Sequence, residues 1–280
     1  EKEKMSWLRE ALRGVLSEEK LRLVPRGFQQ IGRIAILSLP NGLTNEAEII
    51  AKKILETGQV DTVALKTGGI EGWRRKPTIK IIAGKPQTET IHKEAGCIFK
   101  LDVAETMFSK GNLSERQRIA DLVKEGEVVA DLFAGVGQFS IPIAKRGRAK
   151  LVYAIEKNPI AFKYLCENVR LNKVGHIVMP ILGDCALVAP RGIADRVILG
   201  ILHVGHVYLP LASEVLKEDG GVIHYHETVP VKMAFERPLQ RITKGVGREI
   251  KKVEVRIVKK YSPKVLHVVV DADVGRRIST

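Results

Sequence analysis

The chain has 280 residues, 45% of them hydrophobic and 28% charged, with 46 Lys and Arg against 32 Asp and Glu for a formal charge of +14. That balance suits one large or two smaller packed domains and excludes disordered, collagen-like and coiled-coil chains. The longest uncharged apolar stretches, such as residues 197–202, fall far short of the roughly 18 to 20 residues that span a bilayer, and the Glu-Lys-Glu-Lys-Met start has no apolar run behind it. A cytoplasmic protein is expected.

Cys97, Cys166 and Cys185 are odd in number, widely spaced and without a Cys-x-x-Cys pair, so neither a disulfide framework nor a zinc site is expected. The positive surplus suits a polyanionic partner, nucleic acid above all.

Residues 1–22 read as an amphipathic helix, with Leu8, Leu12, Val15 and Leu16 on one face. A buried strand over 31–39 is stopped by Pro40-Asn41-Gly42. Asn45 and Glu48 then form a capping-box pattern for a helix through Glu56. Short extended runs follow at 60–66, 78–83, 89–94 and 97–103, separated by glycine- and proline-containing turns. Together they predict a small basic α+β domain over residues 1–98. Its charge is part of a surplus that runs through both halves of the chain, with 18 Lys and Arg against 12 Asp and Glu in the first 100 residues.

From about residue 112 strands alternate with helices, the signature of a parallel sheet with crossover helices. Helices are expected at 113–124, 137–145, 159–171, 206–217 and 231–247. Strands are expected at 128–132, 151–156, 177–182, 196–199 and 221–226, and two long extended runs at 252–259 and 266–273 form an antiparallel hairpin. A doubly wound α/β sheet ending in such a hairpin is the class I methyltransferase-like, Rossmann-like architecture. It is assigned to residues 99–280.

The sharpest motif is Val-Val-Ala-Asp131-Leu-Phe-Ala-Gly135-Val-Gly137-Gln-Phe-Ser140, a buried strand running through a glycine turn into a helix. Gly135 and Gly137 let the backbone approach a ligand, and the helix beyond offers unpaired N–H groups, so a nucleoside-type ligand is expected. Ser140 replaces the third glycine of a dinucleotide fingerprint, and Asp131 ends the strand, which favours S-adenosylmethionine over NAD, with Asp131 accepting from its ammonium group. Glu156, at the end of the next strand, is suited to take both ribose hydroxyls, with Asn158 capping and Pro159 opening the helix that follows. Asp184, in Leu-Gly-Asp184-Cys185, follows a third strand, where the loop meets the adenine.

With Phe108-Ser109, Glu115-Arg116 and His224-Tyr225-His226, these residues carry a family resemblance. The stretch from Lys100 to Pro230 resembles the superfamily of tRNA guanine-37 N1-methyltransferases and wybutosine-synthesis enzymes, most closely its archaeal aminocarboxypropyltransferase branch. The resemblance implies transfer of the 3-amino-3-carboxypropyl group of S-adenosylmethionine to C7 of 4-demethylwyosine at position 37 of tRNA(Phe). It also implies that Ser109 and Arg116 join Glu156, Asp184 and Cys185 at the donor. Arg116 has the planar fork to hold a methionine carboxylate. The implied partner is the anticodon arm of tRNA(Phe); the enzyme itself is expected to be a monomer that uses no metal.

The alternative is guanine-37 N1 methylation. Nitrogen methyltransferases of this superfamily carry an Asn/Pro motif after the fourth strand, where this chain reads Gly200-Ile201-Leu202-His203. A carbon nucleophile has no need of that clamp. His203, His206, His224 and His226 fall near the strand ends expected to face the acceptor, and His206 is the preferred candidate to orient the base or receive its proton. Arg74, Arg75 and Lys76 beside Trp73, with Arg22, Arg26 and Arg33, are candidate phosphate contacts, and Trp73 a stacking platform.

Overall fold

The computed structural model describes residues 6–277, which divide into two compact units parting between Lys110 and Gly111. The boundary expected after residue 98 would cut the strand Cys97–Asp102 (β6), which pairs along its length with Glu89–Glu94 (β5).

In the first unit the helix expected over 1–22 is two short ones, α1 (Trp7–Ala11) and α2 (Glu18–Leu23). Residues 1–5 lie outside the described residues. Ser17 restarts the helix by accepting from Lys20 N at 3.4 Å. The expected strand over 31–39 is a hairpin of β1 (Gln29–Ile31) and β2 (Ile34–Leu37). The expected capping box does not form, because Asn45 lies inside a 3₁₀ turn (Asn41–Glu46) that leads into α3 (Ala47–Leu55). β3 (Thr62–Glu71) and β4 (Lys76–Gly84) complete a sheet ordered β1-β2-β3-β4, in which only β2 and β3 are parallel, joined by α3 as crossover. Ile50, Ala51 and Ile54 of α3 bury against Ala35, Leu37 and Val63.

The second unit opens with α4 (Leu113–Leu122) and β7 (Val128–Asp131), then α5 (Ser140–Lys145), β8 (Leu151–Glu156), α6 (Pro159–Leu171), β9 (Val178–Leu182) and the short α7 (Cys185–Val188). β10 (Arg196–Leu199), α8 (Leu209–Val215), β11 (Gly221–Pro230), α9 (Glu236–Val246), β12 (Ile250–Ser262) and β13 (Val265–Val274) follow. The sheet is ordered β12-β13-β11-β10-β7-β8-β9, with β13 antiparallel to both neighbours and the other pairs parallel. This is the expected doubly wound sheet with its terminal hairpin, β13 being inserted between β11 and β12. All four residues of β10 are buried, as a central parallel strand requires. The chain runs outward from β7 through β8 and β9, then returns to the other side of β7 as β10. The carboxyl ends of β7 and β10 therefore flank the switch point where such sheets bind ligands.

Candidate active site

Asp131 ends β7 at that switch point and is fully buried. Its Oδ2 accepts from Ser140 Oγ at 2.7 Å, while Oδ1 is buried with no hydrogen-bond partner among the described residues. Burial pushes the carboxyl up to about 7 against the opposing pull of the Ser140 hydrogen bond. A buried oxygen of this kind needs a donor, and a cationic ammonium would supply one and favour the carboxylate. The turn after Asp131 is held by backbone that only glycine adopts freely. Gly137 sits at φ +97, and a Cβ there would lie 2.7 Å from Ile141 Cγ1.

Glu156, ending β8, accepts from Gly135 N at 2.8 Å and from Asn158 N at 2.7 Å. The glycine turn is thus tied to the neighbouring strand, and the carboxylate is oriented by two backbone donors. Asn158 Oδ1 caps α6 through Ile160 N at 3.0 Å, as its sequence position implies. Asp184 caps α7, a helix the sequence reading missed, by accepting from Ala186 N at 3.0 Å. Its other oxygen meets Lys157 Nζ at 2.8 Å, which lowers the carboxyl's affinity for its proton. Cys185 is buried and its thiol pushed up to about 12 by burial, so it offers a packing surface and a backbone N–H rather than a thiolate. Tyr208 stands edge-on to Phe133, with ring centroids 4.9 Å apart.

Arg116, on α4, is 1% exposed. Its Nη1 donates to Gln138 Oε1 at 3.4 Å, linking α4 to the glycine turn. Its helix neighbour Arg118 grips Glu115 (2.7 and 2.9 Å) and Asp271 on β13 (2.7 Å). Arg196 Nη2 also donates to Leu122 O at 3.0 Å, so α4 is fastened to the sheet at its middle and at its C-terminal end. Ser109 is half-buried and belongs to the first unit, whereas the other candidate donor-site residues belong to the second.

The four histidines separate into two pairs. His224 and His226 lie inside β11 rather than at its edge. Arg196 Nη1 lies 2.7 Å from His224 Nε2 and can only donate, so His224 is neutral and its Nδ1–H donates to Asp271 at 2.5 Å. His226 Nδ1 and His267 Nε2 are 3.0 Å apart, and burial holds His226 well below its ordinary value. His206 is half-buried with Nδ1 enclosed, and burial with the nearby Arg241 lowers its basicity. His203 is exposed.

Residues 90–258 match the TRM5/TYW2 methyltransferase domain, and residues 8–88 the TYW2 N-terminal domain. The chain belongs to the TRM5/TYW2 family. It is 48% identical, over 89% of its length and 98% of the relative's, to a Methanocaldococcus jannaschii protein named tRNA(Phe) (4-demethylwyosine(37)-C(7)) aminocarboxypropyltransferase. Among solved structures it resembles P. horikoshii TYW2 in complex with MeSAdo, with a TM-score of 0.83 and 38% identity over 96% of this chain and 98% of that one. It also resembles aTrm5 in complex with tRNALeu, with a TM-score of 0.86 and 30% identity over 98% of this chain and 79% of that one. Ser140, Lys157 and Gln138, each bonded to one of the candidate site residues, were not singled out as site residues by the sequence. Ser140, nine residues after the strand carboxylate, was the one readable signal among them.

Proposed function

We infer that this protein transfers the 3-amino-3-carboxypropyl group of S-adenosylmethionine to C7 of 4-demethylwyosine at position 37 of tRNA(Phe) and releases methylthioadenosine. The observation that carries this reading is the likeness, across nearly the full length of both chains, to an aminocarboxypropyltransferase of that specificity. The resemblance to a TYW2 structure holding MeSAdo supports it, since that nucleoside is what the donor becomes on losing the group.

When bound, S-adenosylmethionine supplies an electrophilic carbon beside its sulfonium, and the protein's part is to decide which carbon meets the base. Glu156, oriented by Gly135 and Asn158, takes the ribose hydroxyls. Asp184 and the backbone at Cys185 take the adenine, and Asp131 takes the ammonium. Arg116 holds the methionine carboxylate, which presents the γ-carbon and turns the methyl away. The absence of an Asn/Pro clamp at Gly200–His203 favours an electron-rich ring carbon over guanine N1 as acceptor.

The anticodon arm is the part of the tRNA presented to the site, and an anticodon-loop base must leave its stack to reach the donor. The test is transfer with donor labelled separately in the methyl and the carboxyl carbon, on tRNA(Phe) carrying 4-demethylwyosine. Carboxyl label in the base with methylthioadenosine released is expected. Methyl label in the base would mean N1-type methylation instead.

A further inference from the structure

We propose that His203 accepts the proton that C7 of the acceptor base sheds during transfer. This rests on the function inferred above. His203 is the fourth residue past β10, beside the switch point. Ile198 of β10 pairs with Asp131, so the loop from Gly200 continues beyond the level of the donor-site carboxylate.

The loop is clamped on both flanks. A Cβ on Gly200 would lie 3.1 Å from the ring of Phe139, the residue before Ser140, and one on Gly205 would lie 3.1 Å from His226 O of β11. Between these contacts His203 adopts φ +71, a left-handed backbone that a side chain bearing a Cβ enters at a cost. The imidazole is exposed and lies against Thr228 of β11 and Tyr261 of β12. Its Nδ1 is 2.8 Å from Thr228 Oγ1, and its ring stands edge-on to Tyr261, whose hydroxyl is 3.4 Å from Nε2. Both partners are hydroxyls that can donate or accept, and in the tautomer whose Nδ1–H donates to Thr228 the basic nitrogen is Nε2. His224 is saturated by Arg196 and Asp271, His226 is paired with His267 in the interior, and His206 has one ring nitrogen enclosed. Of the four, His203 is the one whose side chain is exposed, on the loop that leaves β10 beside the switch point.

The step balances. C7 gains a bond to the donor's γ-carbon as that carbon's bond to sulfur breaks, and sulfur keeps the pair and leaves as the thioether. The base, now cationic with a tetrahedral C7, gives its C7 proton to Nε2 and regains its aromatic ring, and the imidazolium then passes the proton to water.

The left-handed backbone dictates the test. In His203→Gly the loop keeps its conformation without strain and loses only the imidazole. Binding of S-adenosylmethionine and of tRNA by that variant is expected within about twofold of wild type, with transfer slowed by about 100-fold or more, as loss of general base catalysis gives. Free imidazole should restore at least a tenth of the lost rate in a saturable manner, which no merely structural role would produce. His203→Asn, which also tolerates the left-handed backbone, should bind both ligands and stay slow. Wild-type turnover in His203→Gly, or a loss that imidazole leaves untouched, would overturn the proposal. If the wild-type protein moved methyl label instead, the function inferred above would fall, and this step with it.

Discussion

Ser140 Oγ donates to Asp131 Oδ2 across 2.7 Å in a fully buried contact, at the turn where β7 gives way to α5. The hydrogen bond steadies the carboxyl without offsetting its burial, and Asp131 stays raised to about 7. Between the unfolded value near 4 and about 7, the folded chain holds a proton that the unfolded chain has released, so this group's contribution to stability falls as pH rises through that window. Asp131→Asn removes the effect. The variant's melting temperature should exceed wild type at pH 8, by the equivalent of about 4 kcal/mol if no other contact changes, and the gap should close toward pH 4. The same carboxyl must ionise to meet a cationic ammonium. Calorimetry in buffers of different ionisation heat should show proton release on S-adenosylmethionine binding, with affinity in wild type tightening between pH 5.5 and 7.5 and that dependence absent from Asp131→Asn.

The two glycines of the turn should respond differently to alanine. Gly135 sits at φ +56 with only Gln138 Nε2 within reach of a Cβ, at 3.9 Å, so Gly135→Ala carries backbone strain alone, about 1 to 2 kcal/mol. At Gly137 the new Cβ would also meet Ile141 at 2.7 Å and Leu165 at 3.1 Å, adding about 1 to 3 kcal/mol of overpacking. Thermal unfolding of the two variants should rank Gly137→Ala clearly below Gly135→Ala. Equal melting temperatures would contradict the steric difference.

The strand-turn-helix logic of this site was legible because each part has a local cause. β8 and α6 begin and end where alternation, Asn158 and Pro159 place them, and Asp131 and Glu156 follow from strand ends beside glycine. What stayed hidden is non-local. Arg116 carries no local mark of burial, yet it is 1% exposed and reaches Gln138 of the glycine turn, and the helix neighbour Glu115 pairs with Arg118 because Asp271, far along the chain, completes that cluster. Two of the four histidines lie in the core because β11 is covered on its second side by β13, and local sequence does not reveal that insertion.

Glu156 and Arg116 should divide the donor between them. Glu156 accepts two backbone N–H groups at 2.8 and 2.7 Å, and glutamine in its place would set an amide donor against one of them. Glu156→Gln should weaken S-adenosylmethionine and methylthioadenosine alike, by about 10- to 100-fold, since both contain the ribose. Arg116→Gln should weaken S-adenosylmethionine by a similar factor yet leave methylthioadenosine, which lacks the carboxylate, almost unchanged. The ratio of the two dissociation constants is the readout, and it corrects for any fraction of variant that fails to fold. A constant ratio in Arg116→Gln would remove that residue from the carboxylate.

Beyond Leu65 the β3–β4 hairpin runs into exposed residues on β3, from Lys66 to Glu71, and its turn carries Trp73 at 60% exposure with the Arg74 guanidinium 5.2 Å from the ring centroid. Lys66, Arg74, Arg75, Lys76 and Lys80 lie along this arm against the single carboxylate of Glu71. An exposed aromatic flanked by cations suits a nucleic-acid backbone with an unstacked base, because charge draws the phosphates while the ring offers a sequence-tolerant surface. Arg74→Ala with Arg75→Ala should weaken tRNA binding at low salt and lower the slope of log affinity against log salt by about one for each phosphate contact removed. Trp73→Ala should weaken tRNA binding by about 5- to 100-fold while leaving that slope in place, since stacking releases no counterions. Neither change should alter S-adenosylmethionine affinity. An unchanged salt slope in the double arginine variant would direct the phosphate contacts to other basic residues of the chain.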